Sequence, residues 1–187
     1  RIIPCLKFGV KFISIQFFLS NPDDPVIWRG PMVTKALTQM LNECVWDGVE
    51  ILLIDMPPGT GDIQLSLSQL STMAGVILVS TPQQLSVSDV AKAGRMFEKV
   101  NVPVLGIVEN MVDDHDFGIF GIGGVDKLAE SLKTNVLARI PLRKEFVTCS
   151  DQGHPIALSS GASIFLDLAD KVLELISQSR VNQIEIG

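Results

Sequence analysis

The stretch at 55–62 reads DMPPGTGD. An acid closes the apolar run EILLID at 50–55, two prolines follow, and Gly59 and Gly61 then flank Thr60. A carboxylate at the end of an apolar strand is where a nucleotide-hydrolysing site holds magnesium, directly or through water. Prolines stiffen the entry to such a loop, and glycines let backbone N–H groups come close to a terminal phosphate. Asp62 stands where the N-cap of a following helix belongs. An ordinary strand–loop–helix turn with a capping aspartate has the same pattern, so spacing alone leaves both readings open.

Other polar groups are less specific. Asp113, Asp114, His115 and Asp116 could offer ligands to a hard cation, but the preferred reading is a solvated acidic loop. Cys5, Cys44 and Cys149 are far apart, with no C-x-x-C spacing of a metal or redox site. They read as small apolar fillers, and their odd number argues for a reducing compartment. The formal net charge of -6 repels phosphate backbones and anionic lipid surfaces, so neither nucleic acid nor a membrane is an expected partner. Ile63–Ser88 carries no formal charge, yet half of its positions are Gln, Ser, Thr or Pro, which excludes a membrane span. The chain opens on Arg1, and no signal peptide follows.

A scaffold must position these groups. Lys11–Leu19 places Ile13, Ile15, Phe17 and Leu19 on one face at period two, as a strand does, and NPDDP at 21–25 ends it. Residues 31–42 read as a helix with Pro31 in its first turn, and 50–55 as a buried central strand. A helix follows Asp62, with Ile63, Leu67, Leu70 and Ala74 at helical spacing. Residues 75–80 form another strand. Ser86 and Asp89 form a capping box for a helix through Phe97. Strands at 102–108 and 136–140 alternate with helices at 126–133 and 163–177. This alternation predicts an α/β fold, a mostly parallel sheet flanked by helices on both faces. No linker interrupts it, so 1–187 is read as a single domain. In such sheets ligands sit beyond the carboxyl ends of the strands, here the loops after Asp55, Ser80 and Val108.

Several stretches, in order, resemble the Mrp/Nbp-type iron–sulfur cluster carrier ATPases, a branch of the ParA/MinD-like P-loop NTPases. They are DDPVIWRGPM at 24–33, DMPPGTGD at 55–62, STPQQLSVSDVAKA at 80–93 and PVLGIVENM at 103–111. IFG…G…KLAE at 119–130, IPL at 140–142 and SDQGHPIALS at 150–159 complete the set. The resemblance implies ATP and Mg²⁺ as ligands, with Asp55 as the catalytic acid that polarises the water shell of the metal. Gly59, Thr60 and Gly61 would meet the γ-phosphate. Asn110 would read adenine through an amide that both donates and accepts, and Pro141 would border the base. Trp28 and Arg29 stay open between a family role and simple packing with a surface charge. The resemblance also implies a homodimer, an iron–sulfur cluster, and apo iron–sulfur proteins or an assembly scaffold as partners. The cytoplasm is the expected compartment, with the mitochondrial matrix as the alternative.

Two departures qualify the match. The family's phosphate loop, GKGGVGKS, holds β- and γ-phosphates with backbone N–H groups and lysines, and residues 1–187 do not contain it. GIGGVDKL at 121–128 is a decoy, because Ile122, Asp126 and Leu128 stand where lysine, glycine and a hydroxyl are needed. The loop and its strand are expected upstream of Arg1, so the P-loop NTPase-like domain is read as incomplete at its N-terminus. The family's C-P-x-C after VENM is also missing, so no iron–sulfur ligand is assigned. The leading expectation is an ATP-binding cluster carrier with ATPase-driven transfer in the complete protein, residues 1–187 alone being inactive. The alternative is a non-catalytic scaffold or interaction module. A ParA-like positioning ATPase without a cluster ranks last, because SRVNQIEIG at the end offers no basic face.

Overall fold

The computed structural model describes residues 1–18, 21, 30–57, 61–113, 118–159 and 161–184. The chain divides into two compact units, 1–72 and 73–187.

In the first unit, β1 (Cys5–Lys7) and β2 (Val10–Phe12) form an antiparallel hairpin. Its two-residue turn puts Phe8 and Gly9 at φ 54° and 79°, the left-handed pair that suits the twist of the strands. The strand expected over 11–19 ends at Phe12. A 3-10 turn takes Ile15–Phe18, because the Ser14 hydroxyl accepts the Gln16 N–H and its carbonyl the Phe17 N–H. Ile2 pairs with Cys44 in a parallel bridge. Two helices, α1 (Gly30–Asn42) and α2 (Asp62–Leu70), bury Leu37 and Leu67, and the Thr34 and Ser66 hydroxyls meet at 3.3 Å between them.

EILLID at 50–55 is not a strand. It makes no ladder hydrogen bonds, and Ile51, Leu52 and Leu53 are 47%, 43% and 82% exposed. An apolar run supplies faces to bury, but a strand also needs a neighbour for its N–H and C=O groups. Among the described residues this run has none.

The second unit holds a parallel sheet in the order β3 (Val76–Ser80), β4 (Val104–Val112), β5 (Val136–Pro141). Between the strands run α3 (Gln84–Lys99) and α4 (Gly124–Ser131). Then come α5 (Lys144–Asp151), which the sequence reading missed, and α6 (Ser163–Ile184). Val108 packs toward α6, within a cluster of Leu137, Ile140, Phe146, Phe165 and Leu168. Glu109, the next residue, faces α4 through Arg139. Adjacent strand residues point to opposite faces, so the sheet is covered on both, as expected.

The capping box is not formed. Gln83 is the N-cap of α3, and the Ser86 hydroxyl instead meets Ser80 Oγ at 3.0 Å and accepts the Thr81 N–H at 3.3 Å. Among the described residues no helix is long and apolar enough to cross a membrane.

Gly124 opens α4 where a side chain cannot fit. An added Cβ would strike the Pro82 carbonyl oxygen and lie 3.2 Å from Val87 Cγ2. Gly124→Ala should therefore destabilise the protein by about 1–3 kcal/mol, since the obstacle is backbone. Each kcal/mol should lower Tm by about 2–4 °C at this size. An unchanged or raised Tm by calorimetry would contradict this packing.

Candidate functional site

β4 carries an acid in its most buried stretch, between Val108 and Asn110. Glu109 is only 4% exposed. An unpaired charge there would be costly, and Arg139, its register partner on β5, supplies the counter-charge. The same guanidinium donates from Nη2 to Asp126 Oδ1 on α4 at 2.5 Å. One cation thus joins β4, β5 and α4.

Beyond this ion cluster the β4–β5 register slips. Glu109 pairs with Arg139 and Val112 with Pro141, so β4 has one residue more than β5 over this span. Met111 takes up the excess in the left-handed region, at φ 56°. The Met111 N–H donates to Asn110 Oδ1 at 2.9 Å, and the Leu142 N–H donates to the Val112 carbonyl at 2.8 Å. Such bulges occur next to sites, where they re-aim a side chain. Half-buried Asn110 and buried Pro141 lie near the carboxyl ends of adjacent parallel strands. A cleft of about 360 Å³ opens at the ion cluster, lined in part by Pro82, Glu109, Val112, Asp113, Asp126 and Arg139.

The remaining site residues belong to the first unit. Asp55 is exposed, at the end of the irregular EILLID run. Gly59 and Thr60 lie outside the described residues, as do Trp28, Arg29, Asp114, His115 and Asp116. Gly61 is the N-cap of α2, with extended backbone at φ -82°, ψ -172°. Asp62 is thus the first helical residue and not the cap, the expected boundary being displaced by one position. Gly61 makes no side-chain cap hydrogen bond to α2, and the leading N–H groups of a helix suit an anion.

Gln64 was not foreseen. It is 3% exposed, and its Nε2 donates to the Pro57 carbonyl at 2.8 Å, fastening the loop entry to α2. Its Oε1 is buried without a partner, and a Cβ on Gly61 would lie 3.7 Å from it. A buried acceptor lacking a donor calls for a ligand or water that supplies one. The signal in the sequence was a polar residue at an inward helical position, three before Leu67.

GIGGVDKL does not form a phosphate loop. Gly123, at φ 72°, is the N-cap of α4, and no strand leads directly into it. Asp113 Oδ2 accepts the Ile119 N–H at 3.4 Å, which is a loop-closing contact.

Cys5 is exposed on β1, Cys44 is buried at the Ile2 bridge, and Cys149 is half-buried in α5. Burial pushes the Cys44 thiol up, and the charge of Glu43 adds to this, so the thiolate that iron requires is disfavoured. Among the described residues no three His, Cys, Asp or Glu side chains gather as a metal site. Anaerobic incubation of residues 1–187 with iron and sulfide should leave no stoichiometric cluster after desalting. A stable brown protein whose colour disappears in Cys149→Ser would contradict this.

Residues 1–177 match the ParA family model described as NUBPL iron-transfer P-loop NTPase. An iron–sulfur cluster carrier protein of Aquifex aeolicus is 43% identical, covering 97% of this chain and 52% of its own. The iron–sulfur cluster transfer protein NUBPL of Mus musculus is 39% identical, covering 94% and 58%. A nucleotide-binding protein of Archaeoglobus fulgidus, solved in complex with ADP, superposes with TM-score 0.64 at 34% identity, covering 81% and 60%. The chain spans about half the length of the curated relatives it matches. Because the family model covers the sheet, the bulged strand end and the DMPPGTGD loop alike, the chain belongs to the NUBPL-type iron-transfer family of P-loop NTPases.

Proposed function

We propose that this protein is an ATP-binding iron–sulfur cluster carrier, in which ATP hydrolysis drives transfer of the cluster to apo iron–sulfur proteins. The family match across residues 1–177 carries the reading. The Asn110 amide near the carboxyl end of β4 and the glycine N-cap of α2 support the nucleotide part of the reading. Each residue has a role by its place in the family pattern. Asp55 would hold the water shell of Mg²⁺, and backbone N–H groups of Gly59, Thr60 and Gly61 would approach the γ-phosphate. Asn110 would hydrogen-bond the adenine, with Pro141 packed at its edge. When bound, Mg²⁺ supplies charge neutralisation at the phosphate oxygens. Gln64 would keep the loop entry fixed while water attacks the γ-phosphate.

The cluster is cargo in this reading. Two copies of the protein would form a homodimer, and apo proteins or an assembly scaffold would receive or supply the cluster. The two units are read as parts of one NTPase domain, acting in the cytoplasm or, as the alternative, in the mitochondrial matrix.

Residues 1–187 contain no GKGGVGKS, so alone they should bind Mg-ATP weakly and turn it over immeasurably slowly. At native length, Asp55→Ala should lower ATP turnover by about 10²-fold or more, the scale of losing one transition-state charge contact. Phosphate release assays decide the matter. Turnover unchanged by Asp55→Ala would remove that residue from the reaction. A native-length protein with no ATPase activity would favour the scaffold reading instead.

A further inference from the structure

Gln64 stands at the third helical position of α2, counting from Asp62, with Gly61 as the N-cap. A Gln or Glu at that position reaches back to accept the N-cap N–H, which is one half of a capping box. The other half, a hydroxyl on the N-cap, is absent because Gly61 has no side chain. The Gly61 backbone is set for the remaining bond, being extended at φ -82° and ψ -172°.

The Gln64 side chain is set for it too. Its Nε2 donates to the Pro57 carbonyl at 2.8 Å. A carbonyl only accepts, so the amide is not free to turn over. Oε1 is thereby held toward Gly61, 3.7 Å from where a Cβ on that residue would stand. Yet the bond is not made, since Oε1 is buried without a partner. Buried acceptors are nearly always satisfied, and the Gly61 N–H is the donor that this helix position is suited to take. The same N–H is one of those that, under the proposed function, would approach the γ-phosphate. A single hydrogen does not serve two acceptors with good geometry at once, so the two uses compete.

We propose that Gln64 is a positioning residue that competes with the γ-phosphate for the Gly61 N–H. Its Oε1 takes that hydrogen when the phosphate is absent and yields it when the phosphate is bound, while the bond to Pro57 holds in both states. Gln64 thereby sets how strongly a nucleoside triphosphate is preferred over a diphosphate. The proposal rests on the reading that Gly61 meets the γ-phosphate, and its test separates the two ideas. The native-length protein, labelled at its glycine nitrogens, is followed by hydrogen exchange at Gly61 without nucleotide, with Mg-ADP and with the non-hydrolysable Mg-AMPPNP. Without nucleotide or with Mg-ADP, the Gly61 N–H should exchange about three- to tenfold more slowly than in Gln64→Met, the fold-change of one net hydrogen bond. Gln64→Glu keeps an acceptor and loses only the donor to Pro57, so it should keep that protection. With Mg-AMPPNP, Gln64→Met should regain protection, because the phosphate takes the hydrogen. Titrations should show Gln64→Met raising the preference for Mg-AMPPNP over Mg-ADP by about three- to tenfold, and Gln64→Glu lowering it through like charge. A merely structural strap would lower it in both. Thermal melts identify folded variants, and if Gln64→Met does not fold, Gln64→Lys, which offers no acceptor, replaces it in the exchange measurement. Gly61 exchange that is equal in the unaltered protein and a folded Gln64→Met, or that is fast in Gln64→Glu as well, overturns the proposal. If Gln64→Met loses protection and Mg-AMPPNP does not restore it, the phosphate contact at Gly61 fails and the competition with it, leaving Gln64 as a cap of α2.

Discussion

Parallel pairing of β4 on both edges is the constraint from which the second unit follows. A strand bonded to β3 on one side and β5 on the other has both faces turned to helices, so its middle must be apolar or compensated. Ile107 and Val108 meet the first demand at 0% and 3% exposure. Gly106 meets it differently, because its missing side chain admits Leu137 from the neighbouring strand. Parallel neighbours also require crossovers, which α3 and α4 provide. The second crossover brings Asp126 within reach of Arg139, the cation that supplies the counter-charge to Glu109 inside the sheet.

Sequence periodicity was informative where burial alone decides structure. The runs at 75–80 and 136–140 became β3 and β5 within a residue, and the helices expected at 31–42, from Ser86 through Phe97 and at 163–177 became α1, α3 and α6. It misled where a partner decides. EILLID has the composition of a central strand and no neighbour among the described residues, so composition and conformation separate there. Ser14 and Ser86 misled for another reason, since each hydroxyl chose a local backbone or side-chain bond over the role assigned from spacing. The bulge was illegible because the strand pairing that reveals it joins residues about thirty positions apart and leaves no local pattern. What could be read was the anomaly itself, an acid within the apolar strand GIVEN.

The site residues divide in the same way. Asn110 and Pro141 were marked by motif, and the sheet brings them to one edge. Gln64 and Arg139 had no motif, and they are the groups whose hydrogen bonds fix the loop entry and the strand end. In both places a buried polar atom draws attention to the geometry, because burial of such an atom has to be explained by a ligand, a partner or a structural duty.

The central claim, ATP-driven cluster transfer, is tested most directly by the transfer rate itself. The native-length protein, loaded with cluster, is mixed with an apo ferredoxin, and holo-ferredoxin is followed with and without Mg-ATP. The account expects Mg-ATP to change the rate by about fivefold or more, the lower range of coupling between two sites, and expects Asp55→Ala to lose that response. Equal rates with and without Mg-ATP, in a protein shown to bind both nucleotide and cluster, would contradict it.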